Sequence, residues 1–258
     1  MTTSTSATHT SATLPLQGKL AFVTGGSRGI GAAIVRRLAR DGASVVFTYQ
    51  NSAAEAQALA DSASTSAAKV EAVQADAANA AALQAAIDDA AAKHGRLDIL
   101  VNNAGVFVPG DIAEFSLDDF DRTLAVNVRA VFVAIKAAVA HLRTGGRIIN
   151  IGSTNAHRMP FAGAAAYAMS KSALSGLTQG LARDLGPRGI TINNVEPGPV
   201  ATDMNPPTGD FATLMHGLMA LPRHGQPEEI AGMVAYLASE EAAFVTGAGL
   251  KIDGGFAA

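Results

Sequence analysis

Short apolar runs alternate along the chain with longer stretches whose apolar residues recur at helical spacing. The runs lie at 20–24, 44–48, 70–74, 97–101, 147–151, 190–195 and 249–252. The helical stretches lie at 30–40, from 53 onward, and at 79–94, 116–142, 163–186 and 227–239. Most runs are almost continuously apolar, as in parallel strands that are covered on both faces. The pattern predicts an α/β fold, a single doubly wound Rossmann-type domain with a seven-stranded parallel sheet.

Two segments depart from this alternation. Residues 1–17 begin with a stretch of mostly Thr, Ser and Ala, and we expect a disordered tail there, ahead of one domain at 18–258. Residues 203–220 carry Pro206, Pro207 and Gly209 soon after a predicted strand end. Because loops in that position often cover a ligand site, we predict a mobile flap near 203–220.

Composition removes several classes of function. The formal net charge is −3 without a basic block, so we expect no nucleic-acid partner. The 258 residues include no cysteine, which excludes disulfides and thiolate chemistry. The six histidines are scattered without metal-ligand spacing, so no metal is expected. No apolar run reaches the ~18–20 residues of a membrane span, and no signal-peptide pattern is present, so we expect no membrane partner and a cytoplasmic location.

A glycine-rich stretch directly follows the first predicted strand and opens a helix. It has the spacing Gly-x-x-x-Gly-x-Gly and comprises Gly25, Gly26, Ser27, Arg28, Gly29, Ile30 and Gly31. Glycines let the backbone approach a pyrophosphate, and a helix N-terminus offers free N–H groups and partial positive charge. The position of this stretch predicts a dinucleotide-binding loop.

The end of the second predicted strand bears on which dinucleotide binds. An NAD site usually places Asp or Glu there to accept a hydrogen bond from the ribose 2′-hydroxyl. Residues 47–52 contain no acid, whereas Arg28 in the glycine loop is available to a 2′-phosphate. NADP(H) is therefore the predicted cofactor. The alternative for Arg28 is a solvated loop residue.

Tyr167 and Lys171 are four residues apart in a predicted helix, so they share one face. A lysine cation beside a phenol favours the phenolate and lowers a pKa whose reference value is near ~10. Such a pair can exchange protons near neutral pH. Taken alone, the same spacing is also typical of a half-buried ring and a solvated cation.

Further motifs follow in chain order. Asn102-Asn103-Ala104-Gly105 follows the fourth predicted strand, and Pro197-Gly198 follows the sixth. With the glycine loop and the Tyr167–Lys171 pair, these motifs resemble the short-chain dehydrogenase/reductase family over about 18–256. The resemblance implies cofactor contacts by Gly25, Ser27, Arg28, Gly29, Ile30, Gly31, Asn51, Asp76, Asn103, Ala104, Gly105, Tyr167, Lys171, Pro197, Gly198, Val200 and Thr202. Asp76 is equally consistent with a plain turn or helix cap.

The same resemblance implies four catalytic residues. Tyr167 would be the general acid in carbonyl reduction and the base in alcohol oxidation. Ser153 would hydrogen-bond the substrate oxygen, with Thr154 as a rival hydroxyl. Lys171 would bond the nicotinamide ribose and stabilise the phenolate. Asn127 would hold a water that links Lys171 to solvent, although it also fits an ordinary amide inside a helix.

One competing enzyme class shares a local motif. Gly25-Gly26-Ser27-Arg28-Gly29 fits the Gly-x-Ser-x-Gly elbow of serine hydrolases. The glycine spacing continues to Gly31, however, and no Asp and His follow at recognisable positions to complete a triad. The phosphate-loop interpretation is therefore preferred.

The substrate pocket is expected after the strand ends and on the flap. Its predicted lining is Asn155, His157, Met159, Phe161, Met204, Leu214 and Leu218. This mainly apolar set favours hydrophobic ketones, although several of its members are equally consistent with packing inside the flap. The predicted reaction is the reversible, NADPH-dependent reduction of a small-molecule ketone to a secondary alcohol, with a 3-oxoacyl thioester as a rival substrate.

A second functional class is also indicated by resemblance. Stretches at 158–160, 198–206 and 223–229 are similar to a bacterial biofilm-dispersal protein of the same fold, which implies cyclic di-GMP binding and a regulatory role. Family resemblance further implies a homotetramer, with contacts through the helix that carries Tyr167 and through 242–256.

Overall fold

A computed structural model describes residues 14–258 and shows a seven-stranded, all-parallel sheet in the order β3-β2-β1-β4-β5-β6-β7. The strands are β1 Leu20–Val23, β2 Ser44–Tyr49, β3 Val70–Gln74, β4 Leu97–Asn102, β5 Leu142–Ile151, β6 Thr191–Pro197 and β7 Gly249–Ile252. The helices are α1 Gly29–Arg40, α2 Ala53–Ala63, α3 Ala80–His94, α4 Leu117–Leu124, α5 Ala130–Val139, α6 Ala165–Leu185, α7 Asp210–Gly217 and α8 Pro227–Ala238. The predicted fold class is confirmed.

Two apolar layers cover the sheet. On one face, Ile34 of α1 and Val234 of α8 pack against the strands with α2. On the other face, Ile87 of α3 and Ile135 of α5 pack with Leu174 of α6. Burial on both sides explains why the strand sequences are continuously apolar rather than alternating.

Parallel register aligns the carboxyl ends of the central strands. Val23 is registered with Val101, and Ile151 with Val195. The loops after β1, β4, β5 and β6 therefore leave the sheet along one edge, near the point where the strand order reverses between β1 and β4. Ligands of doubly wound sheets bind at this kind of position.

The disordered tail predicted for residues 1–17 extends too far, because its last four residues are part of the fold. Residues 1–13 of that prediction lie outside the described residues. Residues 14–17 instead belong to the fold, because Leu16 is buried in the core and its N–H donates to the Asp41 carbonyl at 2.8 Å. In the sequence, the apolar segment Leu14-Pro15-Leu16 distinguishes this turn from the stretch before it, which is rich in Thr, Ser and Ala.

The single helix predicted over 116–142 is divided. A π-helical turn at Ala125–Arg129 separates α4 from α5, and α5 ends at Val139 because β5 already begins at Leu142. Such turns widen one helical turn and often occur at functional sites. None of the described helices is both long and apolar enough to cross a membrane.

Candidate active site

Tyr167 and Lys171 lie in the first two turns of α6, beside the carboxyl end of β5. The Lys171 ammonium donates a hydrogen bond to the Ile151 carbonyl at 2.8 Å and lies 5.8 Å from the centroid of the Tyr167 ring. Lys171 is buried and Tyr167 is half-buried. The predicted pair on one helical face is therefore present, with the cation held by the strand end.

Burial sets the protonation equilibria of this pair. It lowers the pKa of Lys171 to about 8, because a buried ammonium loses its hydration. It raises the pKa of Tyr167 above 10.0, and a hydrogen bond with Ser153 offsets part of the rise. The expectation that the Tyr167 pKa lies below its usual value is not met in this structure, because desolvation of the buried phenol is the largest influence on it.

The structure separates the two hydroxyls that follow β5. Ser153 Oγ accepts a hydrogen bond from the Asn155 N–H at 3.1 Å, and its lowering effect on the Tyr167 pKa indicates that it lies near the phenol. Thr154 is fully buried and donates to the Pro197 carbonyl at 3.2 Å. Ser153 therefore stands beside the phenol, whereas Thr154 ties the end of β5 to the end of β6.

Asn127 lies in the π-helical turn, and its side chain is completely buried. Its Oδ1 accepts from the Val106 N–H at 2.8 Å, and its Nδ2 donates to the Val106 carbonyl at 2.9 Å. Nδ2 also donates to Ser170 Oγ at 3.0 Å, and Ser170 in turn donates to the Tyr167 carbonyl at 2.7 Å. Asn127 thus joins the loop after β4 to α6.

The glycine loop is shaped for close backbone approach. A Cβ added to Gly31 would lie 2.2 Å from the Gly25 carbonyl oxygen and 2.6 Å from Asn103 Nδ2. Gly25 and Gly29 have φ of 65° and 53°, a region that favours glycine. Ser27 and Ile30 complete the turn into α1, whose first N–H groups receive no side-chain cap from Arg28.

Polar bonds fix this loop to the motif after β4. Thr24 Oγ1 accepts from the N–H groups of Asn103 and Ala104, both at 3.0 Å. Asn103 Nδ2 donates to the Gly25 carbonyl at 2.8 Å. Gly105 lies next in line, and a Cβ added there would be 3.5 Å from both Asn127 Oδ1 and Lys171 Nζ. The loop after β4 therefore contacts both the glycine loop, through Asn103, and the predicted catalytic residue Asn127, through Val106.

Three other predicted cofactor contacts, Arg28, Asn51 and Asp76, are at least partly exposed. Arg28 projects from the loop, with its guanidinium 3.9 Å from the carboxylate of Asp203. Asn51 is exposed after β2. Asp76 Oδ1 accepts from the Ala78 N–H at 2.9 Å, so part of its role is the turn that precedes α3. An exposed guanidinium without an acid at the end of β2 fits a phosphorylated ribose.

The loop after β6 packs over the glycine loop. A Cβ added to Gly29 would contact Thr202 Cγ2 at 3.3 Å, and one added to Gly198 would lie 2.6 Å from Asp253 Cβ. Val200 is buried and bridges to Gly225. Residues after Pro197 are therefore held against both the dinucleotide loop and the C-terminal segment.

The predicted substrate-pocket residues fall into three groups. Asn155 and Met159 are half-buried in the segment between Ser153 and Tyr167. Phe161 and Leu218 pack against the buried cluster Met215, Met219 and Phe256, so they partly serve as core of the flap. Met204 and Leu214 are each 56% exposed on the flap, where they are available to a ligand.

His157 has different surroundings from the rest of that set. Its Nε2 lies 2.9 Å from Oε2 of the buried Glu196. The pair borders a polar cavity of about 210 Å³ whose other lining residues are Ser175, Thr178, Gln179, Asn194, Gly247, Gly249 and Lys251. Because none of the predicted catalytic residues lines this cavity, His157 is better explained by its bond to Glu196 than by substrate contact.

Three side chains that contact predicted site residues were not themselves predicted. The Phe107 ring meets Tyr167 edge-on, with centroids 5.2 Å apart and planes at 82°. Phe211 meets Phe161 in the same way at 5.4 Å. Ser170 bonds both Asn127 and the Tyr167 backbone. Only their positions in the chain could have indicated them. Phe107 closely follows the Asn-Asn-Ala-Gly motif, Ser170 precedes Lys171, and Phe211 lies in the flap.

A strand–glycine loop–helix unit and a Tyr–Lys pair beside a strand-end serine define a dinucleotide-dependent oxidoreductase site. The family model described as "Enoyl-(Acyl carrier protein) reductase" matches residues 25–257. The chain belongs to the short-chain dehydrogenase/reductase family.

Individual relatives are similar over nearly the whole chain. A short-chain dehydrogenase/reductase from Serratia marcescens is 64% identical, covers 95% of this chain and 100% of its own, and superposes with a TM-score of 0.93. A short-chain dehydrogenase from Burkholderia cenocepacia, solved in complex with NADP, is 52% identical with the same coverage and TM-score 0.93. The cyclic-di-GMP-binding biofilm dispersal mediator protein of Escherichia coli is 52% identical over 93% of this chain and 98% of its own.

Proposed function

We propose that this protein reduces a ketone to a secondary alcohol, reversibly, with NADPH as hydride donor. The observation that carries the proposal is the placement of the Tyr167 phenol beside Ser153, with Lys171 beneath it. A hydroxyl pair of this kind can bind one carbonyl oxygen and deliver a proton to it.

NADP(H) fits the residues that are present. Gly31 packs so closely on the Gly25 carbonyl and Asn103 that no side chain fits there, and the N-terminus of α1 that follows has no side-chain cap and offers free N–H groups to a phosphate. Arg28 supplies an exposed guanidinium for a 2′-phosphate. The Burkholderia cenocepacia relative with NADP supports this choice. When bound, the nicotinamide supplies or accepts the hydride.

The protein's own contribution is orientation and proton transfer. Ser153 and Tyr167 hold the substrate oxygen, which orients the carbonyl carbon and polarises the bond. The Tyr167 phenol donates its proton as negative charge develops on that oxygen. Lys171 holds a positive charge next to the resulting phenolate and, through the Ile151 carbonyl, is fixed to the end of β5. Asn127 and Ser170 hold the loop that follows β4 against α6. We also propose that Asn127 binds the water of the proton relay.

Absorbance of NADPH with a broad ketone and 3-oxoacyl thioester panel tests the reaction. We expect turnover with at least one carbonyl compound, and loss of about 100- to 10,000-fold in Tyr167→Phe. Tyr236→Phe, on the exposed part of α8, is the matched control and should leave the rate unchanged. NADPH binding by the wild type without turnover of any compound would refute the reductase.

Arg28→Ala tests the cofactor choice. It should raise the KM for NADPH much more than that for NADH, because only NADPH carries the 2′-phosphate. Arg40→Ala, another exposed arginine at the far end of α1, is the control. Equal changes in the two KM values for Arg28→Ala would contradict the assignment.

A second candidate is a cyclic di-GMP-binding regulator that keeps the reductase site. The similarity to the Escherichia coli dispersal mediator and the stretches at 158–160, 198–206 and 223–229 favour it. Calorimetry should then show saturable cyclic di-GMP binding by the wild type. Absence of heat at high micromolar protein, with NADPH binding as a positive control, would remove this candidate.

The assembly and location follow from the same family. We propose a cytoplasmic homotetramer with contacts through α6 and the C-terminal segment. Among the described residues 14–258, β7 lies at the edge of the sheet with one side free of a neighbouring strand, which supports a partner on that side. Light scattering that gives the mass of a monomer would overturn the tetramer.

A further inference from the structure

Three asparagines lie side by side across the centre of the sheet, one on each of β4, β5 and β6. Asn102 is registered with Asn150, and Asn150 with Asn194. All three are buried. Two residues earlier on the same strands, and therefore on the same face, the apolar core contains Leu100, Ile148 and Ile192. This asparagine row therefore takes the place of an apolar layer near the carboxyl edge of the sheet.

Hydrogen bonds connect the row to α6. Asn102 Nδ2 donates to Asn150 Oδ1 at 2.9 Å, and Asn150 Nδ2 donates to Oγ1 of the buried Thr178 at 3.1 Å. Asn102 Oδ1 has no hydrogen-bond partner among residues 14–258. Because apolar groups of the same shape can replace a buried hydrogen-bonded pair at little cost, fold stability alone does not account for these polar side chains.

Two side chains of α6 reach consecutive residues of β5. Lys171 Nζ donates to the Ile151 carbonyl at 2.8 Å, and Thr178 Oγ1 accepts from the side chain of Asn150, the residue before Ile151. Lys171 and Thr178 are seven residues apart, which is about two helical turns, so they lie on the same face of α6. The two bonds together fix the helix on the strand both along its axis and in rotation.

The two proposed partners of the substrate oxygen belong to these two elements. Ser153 lies three residues after Asn150, just beyond the end of β5, and Tyr167 lies in the first turn of α6. A Cβ added to Gly152 would lie 2.7 Å from the amide of Asn194, so the chain before Ser153 rests directly on the asparagine row. The distance between the two hydroxyls therefore depends on how α6 is placed on β5, and a displacement of about 1 Å can cost about 100-fold in rate.

The cofactor side of the site has its own attachment. Asn102 is followed in the chain by Asn103, whose Nδ2 donates to the Gly25 carbonyl at 2.8 Å. This bond does not involve α6. Loss of the bond between Asn150 and Thr178 should therefore disturb α6 while leaving the glycine loop in place.

We propose that Asn150 and Thr178 are positioning residues for the proton transfer, because their hydrogen bond sets the placement of Tyr167 on α6 relative to Ser153. The two residues act through these hydroxyls and not on the substrate itself. The inference rests on the proposed reductase function and adds to it two residues that lie below the site.

Thr178→Val and Thr178→Ser provide a matched pair of variants. Valine has nearly the shape of threonine without the hydroxyl, so the buried Asn150 Nδ2 loses its acceptor, whereas serine keeps the hydroxyl. Thr123→Val is the control, since Thr123 is a buried threonine whose hydroxyl donates to the Asp119 carbonyl of its own helix α4. Circular dichroism melts define an assay temperature at which every variant is folded. If Thr178→Val does not fold, Thr178→Cys replaces it, because a thiol accepts hydrogen bonds only weakly.

With a ketone that the wild type reduces, Thr178→Val should lower kcat about 10- to 100-fold, while the Kd for NADPH from fluorescence titration stays within about twofold. Thr178→Ser should recover kcat to within about threefold of the wild type. Thr123→Val should keep the wild-type kcat. This split between turnover and cofactor binding, with rescue by serine, is not expected of a residue that only stabilises the fold.

A folded Thr178→Val enzyme with the wild-type kcat would overturn the inference and leave the reductase intact. Equal losses in Thr178→Val and Thr178→Ser would also overturn it, because they would assign the effect to packing of the methyl group. A fall in kcat that is matched by weaker NADPH binding, or by the same fall in Thr123→Val, would show a general disturbance instead of a positioning role. If no ketone reacts with the wild type, the proposed function fails first and the inference falls with it.

Discussion

The predicted catalytic residues and the flap both lie near the carboxyl edge of the sheet, but they are built in opposite ways. Asn127, Ser153 and Lys171 are each buried, and each makes at least one hydrogen bond to backbone. On the flap, Met204 and Leu214 are each 56% exposed and make apolar surface available instead. Proton transfer requires fixed atoms, whereas recognition of an apolar group tolerates a surface that can adapt.

Among the buried residues of the site, Lys171 is the one whose substitution should have the largest effect. Lys171→Met should reduce turnover by about 100- to 10,000-fold, because the charge that stabilises the phenolate is lost. The same change should stabilise the fold at neutral pH by up to about 3 kcal/mol, since the Lys171 pKa falls from 10.5 to about 8 on burial. Activity assays and chemical denaturation measure the two effects.

The pH dependence gives this prediction a definite sign. Below pH 8 Lys171 is charged in both the folded and unfolded states, so the full burial penalty is present. Between 8 and 10.5 only the unfolded state keeps the proton, and wild-type stability rises with pH. The advantage of Lys171→Met should therefore be largest below pH 8 and vanish above 10.5. A constant advantage would show that burial of the charge is not its cause.

A second substitution tests the tight backbone approach in the glycine loop. Gly31→Ala places a Cβ 2.2 Å from the Gly25 oxygen, so the loop must move. We expect about 1–3 kcal/mol of destabilisation and roughly a 100-fold loss of activity at fixed NADPH. Gly232→Ala is the control, since its Cβ meets only the end of Arg37 at 3.7 Å and α8 should gain up to about 1 kcal/mol. Equal effects of the two changes would contradict the close-approach argument.

A smaller effect on activity is expected at Ser170, because its hydrogen-bond partner Asn127 also has other bonds. Ser170→Ala removes one acceptor from Asn127, which still has two bonds to Val106. We expect kcat to fall about 3- to 10-fold with KM for NADPH unchanged and the pH–rate profile displaced. Ser62→Ala on α2 removes the same kind of hydroxyl-to-carbonyl bond far from the site and serves as control. A normal pH profile with a normal kcat would exclude a positioning role for Ser170.

The glycine loop and the buried site residues were also predicted from the sequence more completely than the flap was. The glycine loop and the Tyr167–Lys171 spacing are local in sequence, because each depends on one turn or one helix. The π-helical turn around Asn127 and the bond from Ser170 depend on how α5 and α6 meet, so no short motif contains them. The Tyr167 pKa was predicted in the wrong direction, because the effect of a neighbouring charge follows from spacing while desolvation follows from the complete fold.

The position of the flap in the chain was predicted, but its secondary structure was not. Pro206, Pro207 and Gly209 marked an irregular segment, but α7 and its buried Met215 were not distinguished from loop. His157 was assigned to the pocket from chain position alone. Its bond to Glu196 joins residues from β6 and the loop after β5, which periodicity within one element cannot reveal.

The smallest expected effect concerns how the flap is attached. His216 Nε2 on α7 and His224 Nδ1 lie 2.7 Å apart, one donating and the other accepting. His224 is buried, and its backbone carbonyl accepts from Arg223, whose guanidinium also pairs with Glu229. Burial and His216 both lower the pKa of His224 below 6.5, so its protonation works against the folded flap.

The folded flap should therefore lose stability as pH falls below 6.5, because a proton on His224 is disfavoured by burial and by the neighbouring His216. In the wild type we expect faster amide exchange across Asp210–Gly217 at about pH 5.5 than at about pH 7.5, after correction for intrinsic rates, and KM for ketone two- to threefold higher. His224→Gln keeps a hydrogen-bonding group without the titratable ring and should flatten both dependences. His94→Gln on α3 is the control, and a flap whose exchange stays independent of pH in the wild type would show that Met215 and Met219 alone hold α7 in place.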